Sequence, residues 1–69
     1  MKKYSADELL QIAREKGWDE VFNLARGGDP CESQQNAVKI ACKGVDPQHP
    51  GTACEKALKA LAKCMDANY

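Results

Sequence analysis

Two stretches of similar length, CESQQNAVKIAC at residues 31–42 and CEKALKALAKC at residues 54–64, decide how this chain folds. Each stretch begins and ends with a cysteine, with ten residues between the cysteines of the first and nine between those of the second. Apolar residues recur between the cysteines at helical intervals. On α-helices the cysteines of the two stretches would lie about 16.5 Å and about 15 Å apart along the axis. The pattern predicts two helices of nearly equal length, each with a cysteine at both ends.

The segment between these stretches, KGVDPQHPGTA, contains two prolines and two glycines, which exclude a continuous helix. The two helices are therefore expected to fold back on each other as an antiparallel hairpin, with Cys31 beside Cys64 and Cys42 beside Cys54. Pairing within one stretch is excluded, because the Cα atoms of a disulfide lie within about 7 Å of each other. We therefore predict the disulfides Cys31–Cys64 and Cys42–Cys54.

The composition indicates one small helical domain with a thin core. Only 11 of the 69 residues are Leu, Ile, Val or Phe, whereas ten are Ala. A domain of this size buries only about 60% of its unfolded surface. Such a chain needs disulfides, a metal or a partner for stability, and its even number of cysteines favours disulfides and an oxidising compartment.

Three short motifs mark where helices are predicted to begin. Each places a capping residue first and a Glu three positions later. The capping side chain accepts from a free backbone N–H, and the Glu reaches back to the N–H of the capping residue. The motifs are Ser5-Ala6-Asp7-Glu8, Asp29-Pro30-Cys31-Glu32 and Thr52-Ala53-Cys54-Glu55. Together with glycines after the helical stretches, they predict an all-α fold.

The predicted domain is a single compact unit with two parts. Residues 1–29 form an N-terminal helical segment, and residues 30–69 form the disulfide-linked helical hairpin. Within the hairpin, a helix at 30–43 is predicted to pack against a helix at 52–66.

The N-terminal segment carries two apolar stripes that differ by about 100° around a helix axis. Gly17 separates them. The stripes predict two short helices, at residues 6–16 and 18–26, packed on the hairpin. A single bent helix is the alternative.

The largest apolar side chains of the chain also lie in this segment. Trp18 and Phe22 belong to one stripe and Ile12 to the other, and the hairpin cannot cover both stripes. These three residues are the predicted interaction patch, because aromatic anchors tend to dominate protein interfaces. Completion of the core by Trp18 and Phe22 is the alternative role. Ile40, which lies off the apolar face of its own helix, is expected to contact the N-terminal segment.

The residues predict no catalytic, cofactor or metal site. Structural zinc sites take two ligands from a tight Cys-x2–4-Cys turn, and thiol redox enzymes use Cys-x-x-Cys, but no two cysteines here are closer than ten positions. Cys31 and Cys54 lie in first helical turns, where the helix dipole favours a thiolate, but Glu32 and Glu55 oppose this effect. His49 is interpreted as a solvated loop residue. We therefore expect no cofactor, no metal and no enzymatic activity.

The charge pattern offers no basic surface for nucleic acid. Ten basic and ten acidic residues give a formal net charge of zero. Lys56, Lys59 and Lys63 form a basic stripe, which we interpret as the solvated face of a helix. The polar residues after the N-terminal Met predict neither a signal peptide nor a membrane span. We expect a protein partner whose identity the sequence does not give, and a monomer or weak self-association.

Pro30-Cys31-x10-Cys42 followed by Cys54-x9-Cys64 resembles the coiled-coil-helix-coiled-coil-helix domains of the mitochondrial intermembrane space, the twin Cys-x9-Cys proteins. The resemblance covers residues 30–66, with a first spacing one residue longer than in the family. It implies a hairpin with an outer disulfide, Cys31–Cys64, and an inner disulfide, Cys42–Cys54, oxidised on import without a cleaved signal. The Cys-Cys pair used by copper chaperones of that family is absent.

These features predict a non-enzymatic, disulfide-stabilised helical scaffold or protein-interaction module. The expected location is an oxidising compartment, either the mitochondrial intermembrane space or the outside of the cell. A designed or engineered helical mini-protein is one alternative, favoured by the repeated capping motifs and the regular helix faces. A secreted effector or toxin-like ligand with its leader removed is another. A thiol oxidoreductase is the least favoured.

Overall fold

The computed structural model describes residues 4–24 and 30–68, and within these ranges the chain is all-α, without strands. The described residues contain four helices in chain order: α1 (Ala6–Lys16), α2 (Trp18–Phe22), α3 (Glu32–Cys42) and α4 (Gly51–Asn68). Helices α3 and α4 form the predicted hairpin, and α1 and α2 pack against it.

The hairpin is held together by two matching rows of buried residues. On the α3 side the row consists of Cys31, Gln35, Val38 and Cys42, and on α4 of Cys54, Leu58, Leu61 and Met65. Both rows have the spacing i, i+4, i+7, i+11, which keeps their members within about 60° of one another around a helix axis. A disulfide closes each end of the hairpin, with Cα–Cα distances of 5.8 Å for Cys31–Cys64 and 4.9 Å for Cys42–Cys54. These are the predicted pairs.

The N-terminal segment forms two helices, as predicted, rather than one bent helix. Gly17 separates them with a φ of 94°, a conformation that residues with a Cβ rarely adopt. The start of α1 shows the predicted capping box: Ser5 Oγ accepts from the Glu8 N–H at 3.2 Å, and Glu8 Oε1 accepts from the Ser5 N–H at 3.0 Å. Helix α2 ends at Phe22, four residues earlier than predicted, in a turn at Asn23.

The other two predicted helix starts differ from the structure. Helix α3 begins at Glu32, so Pro30 lies in the preceding turn and not at the first helical position. Helix α4 begins at Gly51, whose φ is 79°, so Thr52 lies inside the first turn and is not the capping residue. The helix therefore starts at a glycine with a positive φ, and not after a capping side chain as the sequence motif predicted. The predicted cap Asp29 and the Gly27-Gly28 pair lie outside the described residues.

The structure also bears on the expectation for Ile40 on α3. This residue, expected to contact the N-terminal segment, is 82% exposed. At nine residues from Cys31, Ile40 lies about 180° from it around the helix axis, on the outer side of the hairpin.

Candidate interaction surface

The predicted interaction patch lies where the two N-terminal helices meet the hairpin. Trp18 and Phe22 are one helical turn apart on α2, with ring centroids separated by 6.0 Å and ring planes inclined by 11°. Both side chains are half-buried and pack against the core. The pair therefore has one side fixed by the core and another open to solvent, a geometry in which offset-stacked aromatic rings stabilise each other.

The indole N–H of Trp18 fixes the orientation of the pair. It donates a hydrogen bond of 2.6 Å to the carbonyl oxygen of Val45, in the loop between α3 and α4. Arg14, on the last turn of α1, donates from Nε to the carbonyl oxygen of Pro47 in the same loop, at 3.3 Å. The N-terminal helices thus hold the loop of the hairpin through two backbone carbonyls. This loop was identified from its prolines, but its role as an anchor for Trp18 was not predicted.

Ile12 lies on α1, away from the stacked rings in sequence, and is also half-buried against the core. The structure therefore brings Trp18 and Phe22 together as a stacked pair. What Ile12 has in common with that pair is that its side chain is also partly buried. Among the large apolar side chains of the described residues, Ile40 is the highly exposed one, and none of these three is.

A buried glutamine near the patch was not predicted. Gln35 is 2% exposed, and its Nε2 donates to the carbonyl oxygen of Val21 at 2.6 Å, which links α3 to α2. Within the described residues, Oε1 of Gln35 is buried and accepts no hydrogen bond, and the same holds for Oε1 of Gln34. The signal for Gln35 was its spacing, four residues after Cys31 and seven before Cys42, which places it on the cysteine face. Because the side chain of Gln35 is polar, the pattern of apolar residues did not include this position.

A second surface feature is a groove of about 470 Å³ between the start of α1 and the second half of α4. Two lysines of the predicted basic stripe, Lys59 and Lys63, line it together with the carboxylates of Glu8 and Asp66. Because both signs of charge line the same groove, it has no preference for an anionic or a cationic ligand. Lysines on this face are consistent with a solvated surface.

Metal-ligating side chains are not clustered in the part of the chain that the structure describes. His49 is exposed in the loop, and no cluster of three His, Cys, Asp or Glu side chains there could hold a metal ion. All four cysteines are in disulfides. No helix in residues 4–24 and 30–68 has the length and apolar character needed to cross a bilayer.

Comparison of the chain with protein-family models, with curated proteins and with solved structures finds no match. The function proposed below is therefore argued from the geometry of the chain itself.

Proposed function

We propose that this protein is a non-enzymatic, disulfide-stabilised helical scaffold that binds a protein partner through the patch formed by Ile12, Trp18 and Phe22. The observation that carries the proposal is the half-buried Trp18–Phe22 pair, stacked at 6.0 Å and hydrogen-bonded to the loop at Val45. Such a pair offers apolar area without the loss of side-chain freedom that a mobile surface residue suffers on binding. Trp and other large side chains in fixed positions are the usual energetic centres of interfaces.

The hairpin supplies the rigid support that such a surface needs. Its two disulfides close loops of different lengths, and chain-entropy estimates give about 3 kcal/mol for Cys42–Cys54 and about 4 kcal/mol for Cys31–Cys64. Because the indole of Trp18 is bonded to the loop beside Cys42–Cys54, the position of the patch depends on the cross-linked end of the hairpin. The disulfides thus contribute to the patch as well as to the fold.

An oxidising compartment is part of this proposal. Two disulfides in so small a domain are consistent with the mitochondrial intermembrane space and with secretion. The outer and inner pairs correspond to those implied by the resemblance to the twin Cys-x9-Cys proteins, which favours the intermembrane space. Expression of the tagged chain in the source cell, followed by fractionation, distinguishes the two locations.

A matched pair of variants tests the binding surface. Phe22→Lys places a charge at the open side of the patch, near the end of α2, where a cation is favourable and the long alkyl chain can still cover the core. Ile40→Lys makes the same change on the outer face of α3, where the side chain is 82% exposed. Each oxidised variant is used as bait in its source extract, after circular dichroism has shown that it is folded.

The proposal expects a partner that binds the wild-type protein and Ile40→Lys but not Phe22→Lys. Equal retention by all three proteins, or equal loss in both variants, would contradict it. Trp18 is the only tryptophan of the chain, so its fluorescence gives an independent measurement. Binding at the patch protects Trp18 from iodide quenching, whereas binding elsewhere leaves the quenching unchanged and rejects the proposed surface.

A further inference from the structure

The two disulfides differ in how far solvent reaches their cysteines. Cys42 and Cys54 are 0% and 1% exposed, and Cys31 is 0% exposed. Cys64, the partner of Cys31, is half-buried. Of the four bonded cysteines, Cys64 is therefore the one that a small molecule can approach without opening the hairpin.

The sequence spacing explains this difference. Cys42 follows Cys31 by eleven residues, which brings it back to about 20° from Cys31 around a helix axis. Cys64 follows Cys54 by ten residues, which leaves it about 80° short of a full turn. Met65, one position later, takes the buried place on the α4 row and is 0% exposed. Cys64 consequently lies at the edge of the seam between α3 and α4.

We propose that Cys64 is a thiol-exchange site that accepts a small thiol, such as glutathione, while the Cys42–Cys54 bond stays closed. A thiolate attacks Sγ of Cys64, the bond between Cys64 and Cys31 breaks, and Cys31 leaves as a thiolate with the electron pair of that bond. The product is a mixed disulfide at Cys64 and a free thiol at Cys31 after protonation from water. Atoms and electrons balance without a further oxidant or reductant, and attack by Cys31 on the mixed disulfide reverses the step.

Local groups at the two sulfur atoms act in both directions. Nδ2 of Asn68 donates to the carbonyl oxygen of Cys64 at 2.8 Å and lies 3.5 Å from its Sγ, a contact that would favour a thiolate on Cys64. Cys31 stands at the start of α3, where the helix dipole favours the thiolate that leaves. The carboxylate of Glu32, next in the chain, opposes that effect. Access at Cys64 is therefore the term that decides which disulfide reacts first, because exchange requires that the thiolate reach a sulfur.

The experiment treats the oxidised wild-type protein with reduced glutathione under native conditions and stops the reaction by acid at successive times. Free thiols are then alkylated, and intact mass and peptide mapping locate each modification. We expect the first product to carry glutathione on Cys64 and the alkyl group on Cys31, with Cys42–Cys54 still closed. The Cys31–Cys64 bond should open at least about tenfold faster than the buried bond.

The dependence of the rate on low concentrations of urea separates direct attack from attack on an unfolded chain. Direct attack at Cys64 is proportional to glutathione concentration and changes little with urea, whereas attack through global unfolding rises steeply with urea and reaches a plateau at the unfolding rate once exchange outpaces refolding. A steep rise with urea, a plateau in glutathione concentration, a first adduct on Cys31, or simultaneous opening of both disulfides would overturn the proposal. So would earlier opening of Cys42–Cys54. Since the wild-type protein itself is measured, no outcome depends on a variant that fails to fold.

Discussion

The two ends of the hairpin are closed by the same chemistry but are secured differently. At the loop end, Cys42 and Cys54 are both buried. There Trp18 and Arg14 add hydrogen bonds to the loop carbonyls of Val45 and Pro47. At the open end, the Cys31–Cys64 bond closes a sequence separation of 33 residues and includes the half-buried Cys64.

This difference shows how a thin core can be distributed in a small domain. The loop end has both a covalent and a non-covalent connection, and the N-terminal helices supply the second. At the open end the disulfide closes the longer loop, so it lowers the entropy of the unfolded chain more than the other disulfide does. The stability of the domain should follow this division between its two ends.

Reduction of both disulfides should have the largest effect. The buried apolar residues of such a short chain offset little more than the entropy of ordering it, and loss of native disulfides often abolishes folding of small domains at about 37 °C. We expect most of the helical circular-dichroism signal to be lost in excess reductant near that temperature. The oxidised protein, in the same buffer without reductant, is the control. A cooperative melt with an unchanged midpoint after complete reduction would show that packing alone maintains the fold.

Removal of single disulfides should rank the two ends. Replacing Cys31 and Cys64 together by Ala is expected to lower the free energy of unfolding by about 4 kcal/mol, and replacing Cys42 and Cys54 together by about 3 kcal/mol. Both double variants lose two sulfur atoms, but the Cys42/Cys54 variant empties two buried positions and the Cys31/Cys64 variant only one, which adds a cavity cost at the loop end. Urea denaturation followed by circular dichroism gives the values. A larger loss for the Cys42/Cys54 variant would mean that the hydrogen bonds of Trp18 and Arg14 do not offset the loss of that bond and of its buried volume.

Truncation of Trp18 tests the non-covalent connection at the loop end. Trp18→Ala removes the stacking on Phe22, the packing on the core and the hydrogen bond to Val45, and should cost about 3 kcal/mol, at the lower end of the range for large core side chains because the ring is only half-buried. Trp18→Phe keeps most of the apolar contact and should cost about 1 kcal/mol for the hydrogen bond. Chemical denaturation of the isolated monomer measures both.

A loss below about 1 kcal/mol for Trp18→Ala would indicate that the ring contributes little to the monomer. In that case its role would lie mainly at an interface. A large loss would show that Trp18 also completes the core, which is the alternative role that its position in the sequence left open. Sedimentation of the wild-type protein at increasing concentration then shows whether the exposed side of the patch supports self-association.

The hairpin could be predicted from the sequence because cysteine, proline and glycine each constrain the fold without knowledge of their tertiary contacts. Four cysteines at helical spacings, together with a Pro/Gly segment, leave one antiparallel arrangement with feasible disulfides. The break at Gly17 was predictable for a similar reason, since its φ of 94° is available mainly to glycine. Capping motifs were less reliable, because at Gly51 the turn itself starts the helix before Thr52 is reached.

Tertiary partners of polar groups were not predictable from local patterns. Nothing near Trp18 in sequence indicates that its N–H meets a carbonyl 27 residues away, at Val45. The burial of Gln35 follows from its position on the cysteine face, but its partner, the carbonyl of Val21, depends on how α2 crosses α3. For the interaction patch, the residue types could be recognised in the sequence, whereas the degree of burial of each residue depends on this packing.

The smallest expected effect concerns Gln35, which lies between the two ends of the hairpin. Gln35→Met keeps an unbranched side chain of similar length in the buried row but removes the hydrogen bond to the carbonyl oxygen of Val21. That carbonyl still accepts from the N–H of Leu24 at 3.3 Å, so it is not left without a partner. The change also removes the buried Oε1 that lacks a donor within the described residues. Because replacing a buried polar group by an apolar one of the same shape can be nearly neutral or stabilising when no partner is stranded, we expect a gain of about 0.5–1 kcal/mol in the free energy of unfolding.

Gln35→Ala is the matched control, with an expected loss of about 2 kcal/mol from the cavity that it leaves. Both values come from urea denaturation with the disulfides intact. If Gln35→Met were as destabilising as Gln35→Ala, the hydrogen bond to Val21 would be the link that positions α2, and with it the aromatic pair, on the hairpin.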